Sequence, residues 1–168
     1  DGNENSSYYL SYSNVSADGI MPTDADSYKR NTVSLKGSTT FLKKLISSAS
    51  VNYINKQSRF VPTGQSQSVL DGLLQTPRDI SIVDQKDYNN KFNNVDNYYT
   101  IYAQNPYFVL NEHGNNMTEN RIYGNVSLDY KIYPWLSATL RAGTDVSNSQ
   151  LKEWRSIVDC IRSDFNDD

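Results

Sequence analysis

The sequence predicts an all-β fold in which about five antiparallel up-and-down strands form part of a large transmembrane β-barrel. Three observations lead to this prediction. Apolar and polar residues alternate with a period of two, which is the pattern of a strand with one apolar and one polar face. Short and long connections follow one another along the chain. Each clear alternating segment also has roughly the 9–11 residues that a tilted membrane-spanning strand needs.

The alternation is clearest in residues 32–41 and 121–132. In the first segment, Val33, Leu35 and Phe41 occupy odd positions, and polar residues occupy the even ones. In the second, the apolar residues take even positions from Ile122 to Ile132. Alternation is also present, less clearly, in three other segments. Together, the five segments predict strands at about residues 7–15, 29–41, 45–56, 120–132 and 135–146.

The connections between these strands are of two kinds. The links at residues 41–45 and 130–136 are short, whereas those at 15–29 and 60–119 are long. Outer-membrane barrels have short periplasmic turns and long extracellular loops. The order therefore predicts one up-and-down path through a membrane, with the long loop 60–119 on the extracellular side.

Two further features refine the predicted organisation. Within the long loop, residues 67–74 and 105–110 are expected to form short helical turns or ordered patches. Residues 149–168 break the alternation. We therefore expect a partial β-barrel over residues 1–148, followed by a weakly helical or disordered tail.

The composition fits a sheet with one lipid-facing side. Hydrophobic residues make up 37% of the chain, and mean hydropathy is −0.67. This is lean for a soluble domain, in which apolar residues average nearer half, but in a barrel wall only alternate residues face lipid. The 13 tyrosines argue against disorder, since disordered chains are poor in aromatics. The net charge of −3 argues against nucleic-acid binding.

The sequence gives no support for an enzyme, a metal site or a cofactor site. His113 is the single histidine, and its loop-like surroundings favour an ordinary surface position. Cys160 is the single cysteine, so no internal disulfide is possible. The acidic residues show no spacing typical of a calcium loop.

A series of short motifs follows one another along the chain. They lie at residues 18–22 (DGIMP), 50–53 (SVNY), 73–79 (LLQTPRD), 105–112 (NPYFVLNE), 121–130 (RIYGNVSLDY), 135–137 (WLS) and 141–145 (RAGTD). In this order, the motifs resemble the barrel of SusC/RagA-like TonB-dependent outer-membrane transporters of Bacteroidetes. The resemblance covers about residues 7–148, and the Thr-Pro-Arg-Asp and Asn-Pro-Tyr patches carry the most weight.

This resemblance implies a plugged barrel of about 22 strands in the bacterial outer membrane that imports glycans or peptides. Its implied partners are a SusD-like surface lipoprotein, the lipid bilayer and the TonB complex, the last only through an N-terminal part that this chain lacks. Residues 1–168 carry no plug domain or TonB-binding segment, so we expect a fragment of the barrel.

Candidate functional residues fall into two groups. The first could contact substrate or the lid lipoprotein from the long loop: Tyr98, Tyr99, Tyr102, Tyr107, Arg78 and Asp79. The loop tyrosines could equally pack only against the loop itself. The second group shares the polar parity of the strands and would line the lumen: Arg121, Asn125, Asp129 and Arg141. For this group we favour cross-strand pairs that maintain the sheet.

The alternative to a membrane barrel is a soluble or secreted β-sheet binding module, such as an adhesin or a carbohydrate-binding domain. In that fold the apolar stripe would form an inner core. The need for detergent separates the two hypotheses, because only a lipid-facing stripe requires an amphiphile to cover it.

Overall fold

A computed structural model describes residues 2–41, 44–64, 68–89 and 104–156. Its main feature is an open six-stranded antiparallel sheet whose strands are neighbours in sequence order. The strands are β1 (Gly2–Asn3), β2 (Ser6–Asp18), β3 (Ser27–Phe41), β4 (Leu45–Phe60), β5 (Gly114–Tyr133) and β6 (Leu136–Trp154). Between β4 and β5 lie α1 (Val69–Gln75), a 3-10 helix (Ile82–Lys86) and α2 (Pro106–Glu112).

The all-β, up-and-down prediction is confirmed, as is the order of short and long connections. Five long strands include the segments predicted from alternation. They extend further where they meet the long connections: β4 continues to Phe60, and β5 begins at Gly114. Alternation missed these ends because neighbouring strands continue to pair there without an apolar stripe.

The structure adds one strand that was not predicted, and it shows that one prediction about the end of the sheet is wrong. Residues 2–3 form a short strand paired with Ser6 and Ser7, because the Asn3 carboxamide accepts hydrogen bonds from the Asn5 and Ser6 amides and closes a tight turn. Residues 149–154 belong to β6 and not to a helical or disordered tail. Pairing with β5 outweighs their weak helical preference. Residues 157–168 lie outside the described part of the chain.

By their contacts, the residues form two compact units. The first comprises Asp1–Ala17, Tyr28–Gln57 and Met117–Gln150. The second comprises Asp18–Ser27, Ser58–Asn116 and Leu151–Asp168. The first therefore contains the main lengths of the strands, and the second contains the helical turns and both long connections.

In the first unit, the three short turns meet at one end of the sheet. The Thr40 amide donates to the Asn5 carbonyl at 2.7 Å, which joins the β3–β4 turn to the β1–β2 turn. The Lys131 amide donates to the Lys44 carbonyl at 2.8 Å, next to the β5–β6 turn. At that turn, the rings of Tyr133 and Trp135 stack with centroids 5.7 Å apart.

The second unit has a small apolar core. Its buried members are Ala25, Val69, Val109 and Leu110. The helices that supply three of them are capped: the Ser68 hydroxyl accepts from the Asp71 amide, and the Asn105 side chain accepts from the Tyr107 amide. None of the helices in the described residues is long and apolar enough to cross a membrane.

The helices α1 and α2 approach closely at Gly72. A Cβ atom there would lie 2.8 Å from the Gln104 carbonyl oxygen. A larger residue would therefore separate the two helices and open the core.

Candidate functional site

One face of β4, β5 and β6 in the first unit is polar. The hydroxyls of Ser48 and Ser127 lie 2.7 Å apart, and the Ser50 hydroxyl donates to the Asn125 carboxamide at 3.1 Å. Towards the end of β4, Lys56 forms an ion pair with Glu119 at 3.0 Å. These contacts follow the even positions of β4 and the odd positions of β5, so they share one side of the sheet.

Three of the four predicted lumen residues join this polar face through cross-strand contacts. Arg121 forms a two-armed ion pair with Asp145 of β6, and Asp129 accepts from the Thr139 hydroxyl at 2.6 Å. Asn125 accepts from Ser50, as described above. This arrangement supports the interpretation that these side chains maintain the sheet.

Arg141 differs from the other three. It is exposed and has the same parity on β6 as Thr139 and Asp145. Within residues 2–41, 44–64, 68–89 and 104–156, it forms no ion pair. Of the four predicted lumen residues, Arg141 is therefore the one whose side chain remains available for an external contact, as far as the described residues show.

The opposite face of the same strands is apolar and uncovered. Val126 is 50% exposed and Leu140 is 66% exposed. The same is true along the whole stripe, which comprises Val51, Tyr53, Ile122, Val126, Leu128, Tyr130, Ile132, Leu136, Leu140 and Val146. Continuous apolar exposure of this kind marks a surface that meets lipid or a protein partner.

Gly124 forms a shallow groove in the apolar face. A Cβ at this position would lie 2.3 Å from the Ser50 carbonyl oxygen, so β4 and β5 approach too closely here for a side chain. The resulting groove has a volume of about 290 Å³, and Val51, Ile122, Val126 and Ala142 are among its lining residues.

The second unit contains the described members of the predicted loop group. Arg78 and Asp79 are exposed in the turn that follows α1. Tyr107 is half-buried against the apolar core. Tyr98, Tyr99 and Tyr102 lie outside the described residues. The structure therefore brings Tyr107 into the loop packing and leaves Arg78 and Asp79 on the surface.

Tyr88 also packs within the loop. Its hydroxyl donates to the Glu112 carboxylate at 2.9 Å, and its ring makes an edge contact with Phe108, with centroids 5.8 Å apart. Burial raises the pKa of Tyr88, and the hydrogen bond to Glu112 raises it further. For this tyrosine the contacts favour packing against the loop itself.

His113 is buried, at 6% exposure, so the expectation of a surface histidine is wrong. Its Nδ1 accepts from the Ser156 amide at 3.2 Å. Because Nδ1 is an acceptor, Nε2 carries the proton and donates to the Gln104 side chain, also at 3.2 Å. Burial lowers the pKa of His113, Arg155 lowers it further, and Glu112 acts in the opposite direction. The loop-like sequence around His113 did not indicate that Ser156, just after β6, would donate to this ring.

The burial of two polar residues of this unit, Asn105 and Gln85, was also not predicted from the sequence. Asn105 caps α2 and donates from Nδ2 to the Gln85 carbonyl at 3.0 Å. The pair Asn105-Pro106 carried a usable signal, since an asparagine cap followed by proline at the first helical position typically begins a helix.

The described residues contain no group of three or more His, Cys, Asp or Glu side chains able to hold a metal ion. No protein-family model matches the chain, and no curated protein matches its sequence. The features that bear on function are therefore the two faces of the sheet and the second unit, which we call the loop unit because it contains the long connections.

Proposed function

We propose that the chain forms part of the wall of a transmembrane β-barrel. The observation that carries this proposal is the uncovered apolar face of β4–β6, which lies opposite a polar face rich in cross-strand contacts. A soluble sandwich would bury such a stripe against a second sheet. In a barrel, the bilayer covers it.

The height of the stripe supports this assignment. The even positions of β5 are apolar or glycine from Ile122 to Ile132. At about 3.4 Å per residue this length is about 34 Å, and a strand tilted by about 45° spans about 24 Å of membrane thickness. The apolar band of a transmembrane barrel is about 25 Å tall.

An open sheet cannot remain alone inside a continuous bilayer, because its edge strands would carry unpaired backbone groups in hydrocarbon. Here β6 is an edge strand of 19 residues. We therefore propose that further strands close the barrel, and that this sheet contributes one sector of the wall in a bacterial outer membrane.

The finer proposal is a TonB-dependent nutrient importer similar to the SusC/RagA class. Two sequence patches that carry this resemblance meet in the loop unit: the LLQTPRD segment ends α1 and forms the next turn, and NPYFVLNE begins and forms α2. The helices contact each other. Such a loop would contact a glycan or peptide substrate and a SusD-like lipoprotein, while TonB would act through other parts of the full protein.

Detergent dependence tests the membrane proposal on the chain itself. We expect monodisperse, strand-rich protein only when micelles are present, measured by sedimentation velocity and circular dichroism. A monodisperse protein that unfolds cooperatively without any amphiphile would instead support the soluble binding module and overturn the proposal.

A further inference from the structure

Two matching side-chain clusters lie in the first unit, and we call them the Tyr–Asn–Asn triads. In the first, the Tyr12 hydroxyl and the Asn14 amide nitrogen both donate to Oδ1 of Asn31, at 2.8 and 2.7 Å. This contact joins β2 to β3. Both lone pairs of the acceptor oxygen are therefore used.

The second triad repeats this geometry between β4 and β5. The Tyr53 hydroxyl and the Asn55 amide nitrogen both donate to Oδ1 of Asn120, each at 2.8 Å. In both triads a Tyr-x-Asn segment of one strand converges on an asparagine of its neighbour.

The triads lie where apolar side chains end on all four strands. On the side of the short turns, the nearest residues of the same parity are Leu10, Val33, Val51 and Ile122. On the other side, they are Ser16, Lys29, Gln57 and Thr118. The change from apolar to polar therefore occurs at the triads, at the end of the strands away from the short turns.

Each triad also retains hydrogen-bond donors. Nδ2 of Asn31 and Nδ2 of Asn120 have no partner among the described residues. In hydrocarbon such donors would be costly, because nothing there can accept from them. Tyrosine rings favour the boundary between hydrocarbon and water.

We propose that the triads mark the outer boundary of the hydrocarbon layer, where their amides donate hydrogen bonds to oxygen atoms of lipid headgroups. This inference rests on the proposed membrane wall and adds a specific lipid contact to it. Lys29, exposed one pleat beyond Asn31, places a cation on the side where headgroup phosphates would lie.

Tryptophan fluorescence tests this placement. Tyr12→Trp, Tyr53→Trp and Val126→Trp are each made in a Trp135→Phe, Trp154→Phe background, so that one tryptophan reports on one position. The chain is held in phosphatidylcholine bicelles, where the unpaired backbone groups of the sheet edges can reach water at the rims. Quenching is compared between a headgroup nitroxide lipid and a lipid brominated midway along its acyl chain.

We expect the two triad variants to be quenched several-fold more by the headgroup nitroxide than by the acyl bromines, and Val126→Trp to show the reverse. If acyl bromines are the stronger quencher for the triad variants as well as for Val126→Trp, the triads lie within hydrocarbon. That result would refute this inference. If acyl bromines quench none of the three, the apolar face does not meet lipid and the proposed function itself fails.

The hydrogen bonds are tested by removing their donors. Asn31→Leu combined with Asn120→Leu should move the Tyr12→Trp reporter deeper, lowering its headgroup-to-acyl quenching ratio about twofold or more. Ser34→Leu, on the opposite face of β3, is the matched control and should leave the ratio unchanged. Deep quenching of Val126→Trp shows that each variant still folds. An unchanged ratio in the folded double variant would refute the headgroup contact.

Discussion

Val126→Arg places a charge close to the middle of the apolar stripe. Val126 is half exposed on the apolar face of β5, one residue from the centre of the Ile122–Ile132 segment. That offset is about 2.4 Å of depth for a strand tilted by about 45°. Arginine near the midplane of a barrel costs about 2–4 kcal/mol, and the cost falls to about 0–1 kcal/mol near the interface.

The measurement requires the closed barrel that we propose this sheet to be part of, folded reversibly into phosphatidylcholine vesicles and unfolded with guanidinium. Val126→Arg should lower the free energy of unfolding by about 2–4 kcal/mol, and Ile132→Arg by about 0–1 kcal/mol. Asn125→Arg, on the polar face, is the control and should change it little. Equal losses at positions 126 and 132 would refute the membrane geometry, since a soluble core has no such depth dependence.

Three further predictions concern local structure. Gly124→Val should separate β4 from β5 and destabilise the sheet by about 1–3 kcal/mol, measured by thermal unfolding in micelles. Gly37→Ala is the control and should be tolerated, because its Cβ would meet only the Ser7 carbonyl oxygen at 3.8 Å. Ser68→Ala should cost about 1 kcal/mol, seen as faster amide exchange in α1, and unchanged exchange would argue against the cap. Because the folded-state pKa of His113 is lowered, the second unit should be most stable above pH 6.5, the ordinary histidine value, and should weaken as the pH falls through the folded pKa. Exchange of the Ser156 amide should then accelerate, and His113→Gln should remove this dependence.

The sheet was largely predictable because strand pairing follows local alternation. Alternation alone predicted which face of the sheet is apolar, as at Val33, Leu35 and the even positions of β5. The identity of the neighbouring strands was not needed. The ends of the strands were not predictable in this way. Residues 149–154 form a strand because they pair with β5. The apolar–polar alternation that would indicate a strand is absent from this segment.

The core of the loop unit, in contrast, could not be predicted from local sequence patterns. Ala25 joins Val69 and Val109 in one core, although these residues come from three distant segments. The ring of His113 accepts a hydrogen bond from the amide of Ser156, which follows β6 and lies more than forty residues later in the chain. Contacts of this kind depend on how the whole chain folds, so neither hydrophobic patterning nor turn residues could predict them.

Collision accessibility of nitroxide labels along β5 tests the membrane face most directly. Single cysteines at positions 122, 123, 125, 126, 127 and 128 are introduced in a Cys160→Ser background, and the labelled chain is held in bicelles. Position 124 is left as glycine because no side chain fits there. We expect labels at even positions to be accessible to oxygen and shielded from a water-soluble nickel chelate, and labels at odd positions to show the reverse. Even positions shielded from both reagents would mean that protein covers the stripe, and would contradict a lipid-facing wall.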